Sequence, residues 1–247
     1  MSQEIIMGRN PVLEALRSKR DINKIWIAEG SQKGSMQQII ALAKESKVFV
    51  QFVPKKKIDQ MAEGNHQGVI AQVAAYQYAE LDDLFSLAEK RGEAPFFLIL
   101  DEIEDPHNLG SIMRTADATG AHGIIIPKRR AVGLTSTVAK ASTGAIEYIP
   151  VARVTNLSRT IDELKNRGVW IVGTDAKGSD DYRTLDGTMP IGIIIGSEGK
   201  GISRILKEKC DFLVHMPMVG KVTSLNASVA AGLLMYEVYR RRNPLGK

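Results

Sequence analysis

At 247 residues the chain has room for one large domain or for a small domain and a medium one. Its 44% hydrophobic, 25% charged and 6% aromatic residues exclude a disordered, collagenous or disulfide-stapled protein, and the single Cys210 allows neither an internal disulfide nor a paired-cysteine zinc site. Thirty-three basic against twenty-eight acidic residues leave a formal charge of +5 and a pI near 9.2, which suggests a polyanionic partner.

Along residues 1–75 apolar patterns alternate between helical and strand periods: helix over 10–18, strand over 24–28, helix over 36–46, strands over 48–53 and 69–74. This predicts a small α/β domain. The acidic helical stretch AELDDLFSLAEKRGEAP, flanked by Gly92 and Pro95, reads as a linker over 76–94. From residue 95 to 247 the β-rich runs FFLIL, GIIIP, EYIPV, VWIVG, IGIIIG and FLVHM recur, mostly at distances that leave room for helices. Such runs suit parallel strands buried on both faces. The stretch 226–242 reads as a helix with Val229, Leu233, Leu234 and Val238 near one face and three arginines that complement the helix dipole. No apolar run approaches the ~20 residues of a membrane span, and MSQEIIMGRNPVLEALRSKR lacks the apolar centre of a signal peptide, so the expectation is a cytoplasmic protein.

Three segments place Gly, Asn, Ser or a charge where an apolar strand gives way to a loop or helix, the edge at which open α/β sheets bind ligands. In LDEIEDPHNLGSIMRTADATGAHGIIIP, Asn108 is suited to cap a helix that carries Arg114. Arg114 is either a solvated helix charge or, buried in a cleft, a two-pronged hold on a phosphate. In IGIIIGSEGKGIS, the P-loop register puts Gly201 before Ile202 and Ser203, which rejects a phosphate-binding Walker loop, and no GxGxxG accompanies a strand-to-helix turn. What survives is either close approach of backbone to a ligand at Gly196 or a tight turn without one. In HMPMVGKVTSLNASVAAGLLMYE, Ser224, Asn226 and Ser228 crowd one helix start, more polar groups than a single cap requires.

Taken in order, N-L-G-S-I-M-R-T-A-D, G-S-E-G-K-G-I-S and P-M-V-G-K-V-T-S-L-N-A-S-V-A-A-G resemble the three motifs of the SpoU (TrmH) family of RNA ribose 2'-O-methyltransferases, over roughly residues 98–236. The GRNPVLEAL start and the N-H-Q-G-V segment resemble the substrate domain of the RlmB subgroup, which modifies a guanosine in 23S ribosomal RNA. The resemblance implies a SPOUT methyltransferase domain over 95–247 with a parallel sheet and a C-terminal trefoil knot, following an RNA substrate-binding domain over 1–75. It implies S-adenosyl-L-methionine as cofactor and a homodimer. On the motif positions it places Thr174, Gly196, Met216, Ser224 and Leu225 as cofactor contacts, and Asn108, Arg114, Glu198 and Asn226 as the catalytic neighbourhood. A guanidinium stays protonated, so Arg114 is expected to clamp phosphate and stabilise a developing alkoxide rather than act as a base.

Given that resemblance, Arg9, His66, Gln67, Lys128 and Arg129 become candidate RNA contacts, and the Lys55, Lys56, Lys57 run a candidate phosphate contact. Without it, His66 is a solvated loop histidine and the lysine runs are solvated faces. His107, His122 and His215 lack metal-ligand spacing, so no metal is expected. A tRNA or another ribosomal target within the same family remains open, as does a non-catalytic RNA-binding assembly factor.

Overall fold

The computed structural model describes residues 5–246 apart from 18–19, 32–33, 63, 75, 176–179 and 222–223. They divide into two units: Met1–Gln77 with Gly133–Ser136, and Tyr78–Val132 with Thr137–Lys247.

The first unit contains β1 (Ile5–Met7), α1 (Arg9–Arg17), β2 (Ile22–Ala28), α2 (Ser35–Glu45), β3 (Val50–Val53), α3 (Lys55–Met61) and β4 (Val69–Val73). The strands run in the order β1-β4-β2-β3, with β2 and β3 parallel and β4 antiparallel to both its neighbours. Strand alternation decides the packing. Ile25, Ile27, Val69 and Ala71 face Val12, Leu16, Met36 and Ile39 of α1 and α2, whereas Ala28 and Ile70 face Ile58 of α3. The sequence pattern misses α3, whose KKKIDQM offers Ile58 as its only fully buried residue and so has no apolar period to detect.

The second unit adds α4 (Leu81–Arg91), β5 (Phe96–Leu100), α5 (Pro106–Ala118), β6 (Gly123–Pro127), α6 (Ser136–Ala141), β7 (Val151–Val154), α7 (Leu157–Asn166), β8 (Trp170–Thr174), β9 (Asp180–Asp181), β10 (Ile191–Ile195), α8 (Arg204–Lys207), β11 (Phe212–His215) and α9 (Ala227–Arg242). All seven strands are parallel, in the order β7-β6-β5-β10-β8-β11-β9. Every residue of β5 and β10 is buried, as expected of central strands covered on both faces. EYIPV is strand only from Val151 onward, because Ala145–Glu147 form a 3-10 turn before it.

Three local expectations are corrected. The stretch over 76–94 is largely α4: its Leu84 packs with Phe97 and Ile125 in the core of the second unit, and Gly92 ends the helix at φ 65°. Asn108 is not the cap of α5. Asp105 accepts from the His107 N–H at 2.8 Å with Pro106 in the first turn, which places Asn108 inside the helix, 8% exposed. Along α9, Leu234 and Val238 are buried, but Val229 and Leu233 lie on an exposed face with Tyr236 and Tyr239. The hydrophobic residues of that helix are spread around its circumference, so its sequence shows no preferred face. Its arginines do more than complement a dipole. Arg240 and Arg241 pair with the buried Glu237, while Arg242 donates to the carbonyls of Gly187, Ala94, Pro95 and Met189.

Candidate active site

Parallel strands align their carboxyl ends, and the loops that leave those ends bring distant residues together. β5 leads through a short loop into α5, which presents Asn108; β10 leads into the loop of Gly196 and Glu198; β11 leads to Met216 and, further on, to α9. Asn226 is the N-cap of α9, its Oδ1 accepting from the Ser228 N–H at 2.9 Å and the Val229 N–H at 3.3 Å. The Ser228 hydroxyl donates to the same oxygen at 2.6 Å. Two polar groups at this helix start therefore serve the cap itself, and the amide nitrogen of Asn226 is left to point elsewhere.

It points at the other two segments. Asn226 Nδ2 donates to Asn108 Oδ1 at 3.0 Å and to Glu198 Oε1 at 2.5 Å, and Asn108 Nδ2 donates to the same Glu198 oxygen at 2.9 Å. The backbone N–H of Ala227 reaches that oxygen at 3.5 Å. Two carboxamides and a carboxylate thus close a triangle in which Glu198 accepts charge-assisted hydrogen bonds and each amide orientation is fixed by what it donates to. Three of the four residues expected in the catalytic neighbourhood meet here. The fourth, Arg114, lies two turns along α5 from Asn108, exposed and with no hydrogen bond or ion pair among the described residues. The expectation of an Arg114 enclosed in a cleft is corrected: in a single chain its guanidinium faces solvent.

Gly110, between Asn108 and Arg114, is required by packing: a Cβ there would lie 2.4 Å from the Cβ of Ala141 at the end of α6. Gly196 is required for a similar reason. A Cβ on it would lie 2.1 Å from the carbonyl carbon of Gly201 and 2.3 Å from the nitrogen of Ile202. The loop turns back on itself there, with Gly201 N–H donating to the Ser197 carbonyl at 2.8 Å and Gly199 and Gly201 at φ 80° and 66°. Asp101, buried after β5, holds the far side by accepting from Ser203 N–H at 2.8 Å. The space on the Cβ side of residue 196 is filled by the protein's own backbone, so of the two sequence readings the tight turn alone already requires this glycine.

The expected cofactor contacts fall at the same sheet edge. Thr174 ends β8, Gly196 follows β10 and Met216 follows β11, three adjacent parallel strands whose pairing sets Ile194 against Gly173 and Thr174 against Val214. Ser224 and the half-buried Leu225 immediately precede the Asn226 cap. Backbone groups at strand ends with half-buried Met216 and Leu225 fit a flat, partly apolar ligand with polar edges. Lys207 pairs with Asp175 at 2.8 Å beside this edge. Cys210 is a packed residue whose thiol burial pushes up to about 11, so it is no nucleophile.

The RNA candidates separate by unit. Arg9, His66 and Gln67 line one polar cavity in the first unit, together with Lys55 of the lysine run, Asn65 of the N-H-Q-G-V segment and Ser31, which no motif marks. His66 is not a solvated loop residue. It is 7% exposed, its Nδ1 accepts from Gly68 N–H at 3.1 Å, and its Nε2 donates to Asp59 at 2.7 Å. Lys128 and Arg129 follow β6 in the second unit. Among the described residues no three His, Cys, Asp or Glu side chains are grouped to hold a metal, and no helix is long and apolar enough to cross a membrane.

Comparison with known proteins agrees with this layout. Residues 95–236 match the SpoU rRNA Methylase family, and residues 5–79 match the family described as RNA 2'-O ribose methyltransferase substrate binding. A Bacillus subtilis (strain 168) protein assigned by name to the TrmH family of tRNA/rRNA methyltransferases, YacO, is 68% identical over the whole of both chains. The AdoMet-bound rRNA methyltransferase of Sinorhizobium meliloti superposes with a TM-score of 0.60 at 29% identity, covering 96% of this chain and 87% of that one. The TrmH/SpoU tRNA modifying enzyme of A. aeolicus, at 30% identity and a TM-score of 0.56, covers 65% of this chain and 83% of its own.

Proposed function

The chain belongs to the SpoU rRNA Methylase family, and from that premise we propose that it methylates the ribose 2'-hydroxyl of a guanosine in 23S ribosomal RNA, in the cytoplasm and as a homodimer. The observation that carries the reading is the triangle of Asn108, Glu198 and Asn226, which joins the three motif segments at the carboxyl edge of the sheet. The ribosomal target is favoured over tRNA by the first unit, which matches a substrate-binding family and lies within the 96% of the chain shared with a ribosomal RNA enzyme. The tRNA enzyme shares only 65%.

S-adenosyl-L-methionine, the cofactor of the family, supplies a methyl group on a sulfonium when bound. Thr174, Gly196, Met216, Ser224 and Leu225 would hold it, the first three through strand ends and the last two from the segment before α9. The chain's own contribution is orientation. Asn226 and Asn108 are locked by Glu198, so the edge that receives the ribose is preorganised rather than assembled on binding. Arg114, permanently cationic and free of partners among the described residues, is available to a phosphate and to the negative charge that develops on the attacked hydroxyl.

The exposed stripe of α9 supports the homodimer. Val229, Leu233, Tyr236 and Tyr239 are 40–53% exposed, and Gly232 sits among them with open space where a side chain would be. Helical spacing puts 229, 232, 233 and 236 on one face, and an apolar face with a gap at its centre suits a second copy of the same helix. Mapping 2'-O-methyl groups in total RNA from cells with and without the gene tests the reading; loss of one guanosine methyl from 23S RNA is expected, and an unchanged map would overturn it.

A further inference from the structure

The cavity in the first unit is a built feature that the methyl-transfer site does not use. It measures about 730 Å³, within the range of small-molecule sites, and it is open and mostly polar. Its wall is the turn between α3 and β4. Gly64, Gln67 and Gly68 hold φ of 124°, 49° and 79° there, and the buried His66 ties the turn to Asp59 of α3. Arg9 closes the other side, its N–H donating to Gln67 Oε1 at 3.1 Å and its Nε to the Gln67 carbonyl at 3.3 Å. Every group that shapes the cavity is therefore held by another.

The groups that face it are not. Among the described residues Lys55, Asn65 and Ser31 have no side-chain hydrogen bond or ion pair, and Arg9 uses only Nε, leaving its terminal nitrogens unengaged. The one carboxylate in the lining, Asp59, accepts from His66 Nε2 through Oδ1 and keeps its charge, against the two cations Arg9 and Lys55. Beside it stand two cations, a carboxamide with both a donor and an acceptor, and the hydroxyl of Ser31. We infer that this cavity takes one unpaired nucleotide of the RNA, its phosphate between Arg9 and Lys55 and its base edge against Asn65. The inference rests on the RNA reading given above and adds a second point of recognition: none of these residues belongs to the unit that carries Asn108, Glu198 and Asn226. A base stacked within a duplex cannot enter such a cavity, whereas a base splayed from a loop or bulge can. The free carboxamide suits a base edge because it pairs a donor with an acceptor at fixed spacing.

The test is binding by the full chain without cofactor, read by fluorescence anisotropy of labelled RNA. The probes are short single strands of A, C or U and a blunt duplex of the same length. Asn65 and Lys55 are exposed, so their replacement leaves the fold intact. Asn65→Ala is expected to weaken at least one single strand about three- to tenfold, the size of one or two hydrogen bonds, and to leave the duplex unchanged. Lys55→Ala should weaken all single strands and lower the salt slope by about 0.7, the value of one phosphate contact. Unchanged binding of every single strand by both variants, or an equal loss for the duplex, overturns the inference. So does a wild-type chain that binds no single strand. Methylation of ribosomal RNA measured in parallel separates the two readings: a chain that methylates but shows no Asn65 effect loses only the cavity, and one that shows the effect without methylating loses only the enzymatic reading.

Discussion

Asn226 and Asn108 meet side chain to side chain, amide nitrogen to amide oxygen at 3.0 Å, although 118 positions separate them in the chain. Both amides donate to one oxygen of Glu198, so neither residue can turn without disturbing the other two. Asn108→Ala and Asn226→Ala should therefore be non-additive. In a cycle read by denaturant unfolding, the coupling should fall within about 0.5–3 kcal/mol, as for groups in one network. Additivity to within about 0.3 kcal/mol would show that the triangle does not act as a unit.

Arg114→Ala should lower single-turnover methylation by about 100-fold or more at saturating cofactor, the scale of losing one preorganised donor. Because Arg114 is exposed and has no partner among the described residues, stability should change by less than about 0.5 kcal/mol, so the loss cannot be blamed on unfolding. Arg114→Lys should restore little, since an ammonium lacks the planar fork. Near wild-type rates in Arg114→Ala would remove the residue from the chemistry.

Gly196→Ala should cost about 1–3 kcal/mol by overpacking, because its Cβ would strike the backbone of Gly201 and Ile202. Calorimetry with S-adenosylhomocysteine should show weaker binding in step with a lower melting temperature. Weaker binding at an unchanged melting temperature would mean that a ligand, not the loop, needs the glycine.

Gly232→Leu discriminates between a monomer and a dimer. In a lone helix, replacing glycine removes a penalty of about 1 kcal/mol, and nothing lies within 4 Å of the new Cβ. If a second copy packs on this stripe, the same change should split the dimer in sedimentation velocity. A wild-type monomer, or a Gly232→Leu chain that is dimeric and more stable, would exclude α9 as the interface.

His122 makes the second unit sensitive to acid. Its Nδ1 accepts from Phe96 N–H at 3.0 Å and its Nε2 donates to Glu93 at 3.0 Å, an arrangement that needs the neutral ring. Burial lowers its pKa below the usual 6.5 despite the opposing pull of Glu93. The folded form binds its proton less readily than the unfolded one, so this stability is present above pH 6.5 and is lost as pH falls through the folded value. His122→Asn, which keeps an acceptor for Phe96, should flatten the fall in melting temperature between about pH 7 and 5. An equally steep fall in the variant would assign the acid sensitivity to other groups.

Much of this architecture is legible in the chain itself. FFLIL and IGIII lie fully buried at the centre of the sheet because parallel central strands need apolar residues on both faces. The motif residues Asn108, Glu198 and Asn226 converge, but no periodicity argument shows that they do, since their contacts join the first turn of one helix, a loop and the cap of another. Asn108 is mistaken for a cap because a proline at the helix start is a weaker visual cue than an asparagine, although Asp105-Pro106 carries the real signal. Gly196 shows a different limit. A glycine at a strand end fits a ligand or the chain's own return path equally well, and only the position of Gly201 decides.

Arg242 binds the carbonyls of Ala94 and Pro95, just before β5, and of Gly187 and Met189, just before β10. Asn226, at the other end of the same helix, bonds Asn108 in the helix that follows β5 and Glu198 in the loop that follows β10. The helix of residues 227–242 therefore works as a fastener between the two ends of β5 and β10, and it is translated after both of them. A nascent chain can fold its substrate-binding unit and lay down β5 and β10 while Asn108 and Glu198 still lack their third partner. The triangle closes only when residues 226–242 have left the ribosome, so it is among the last contacts of the fold to form.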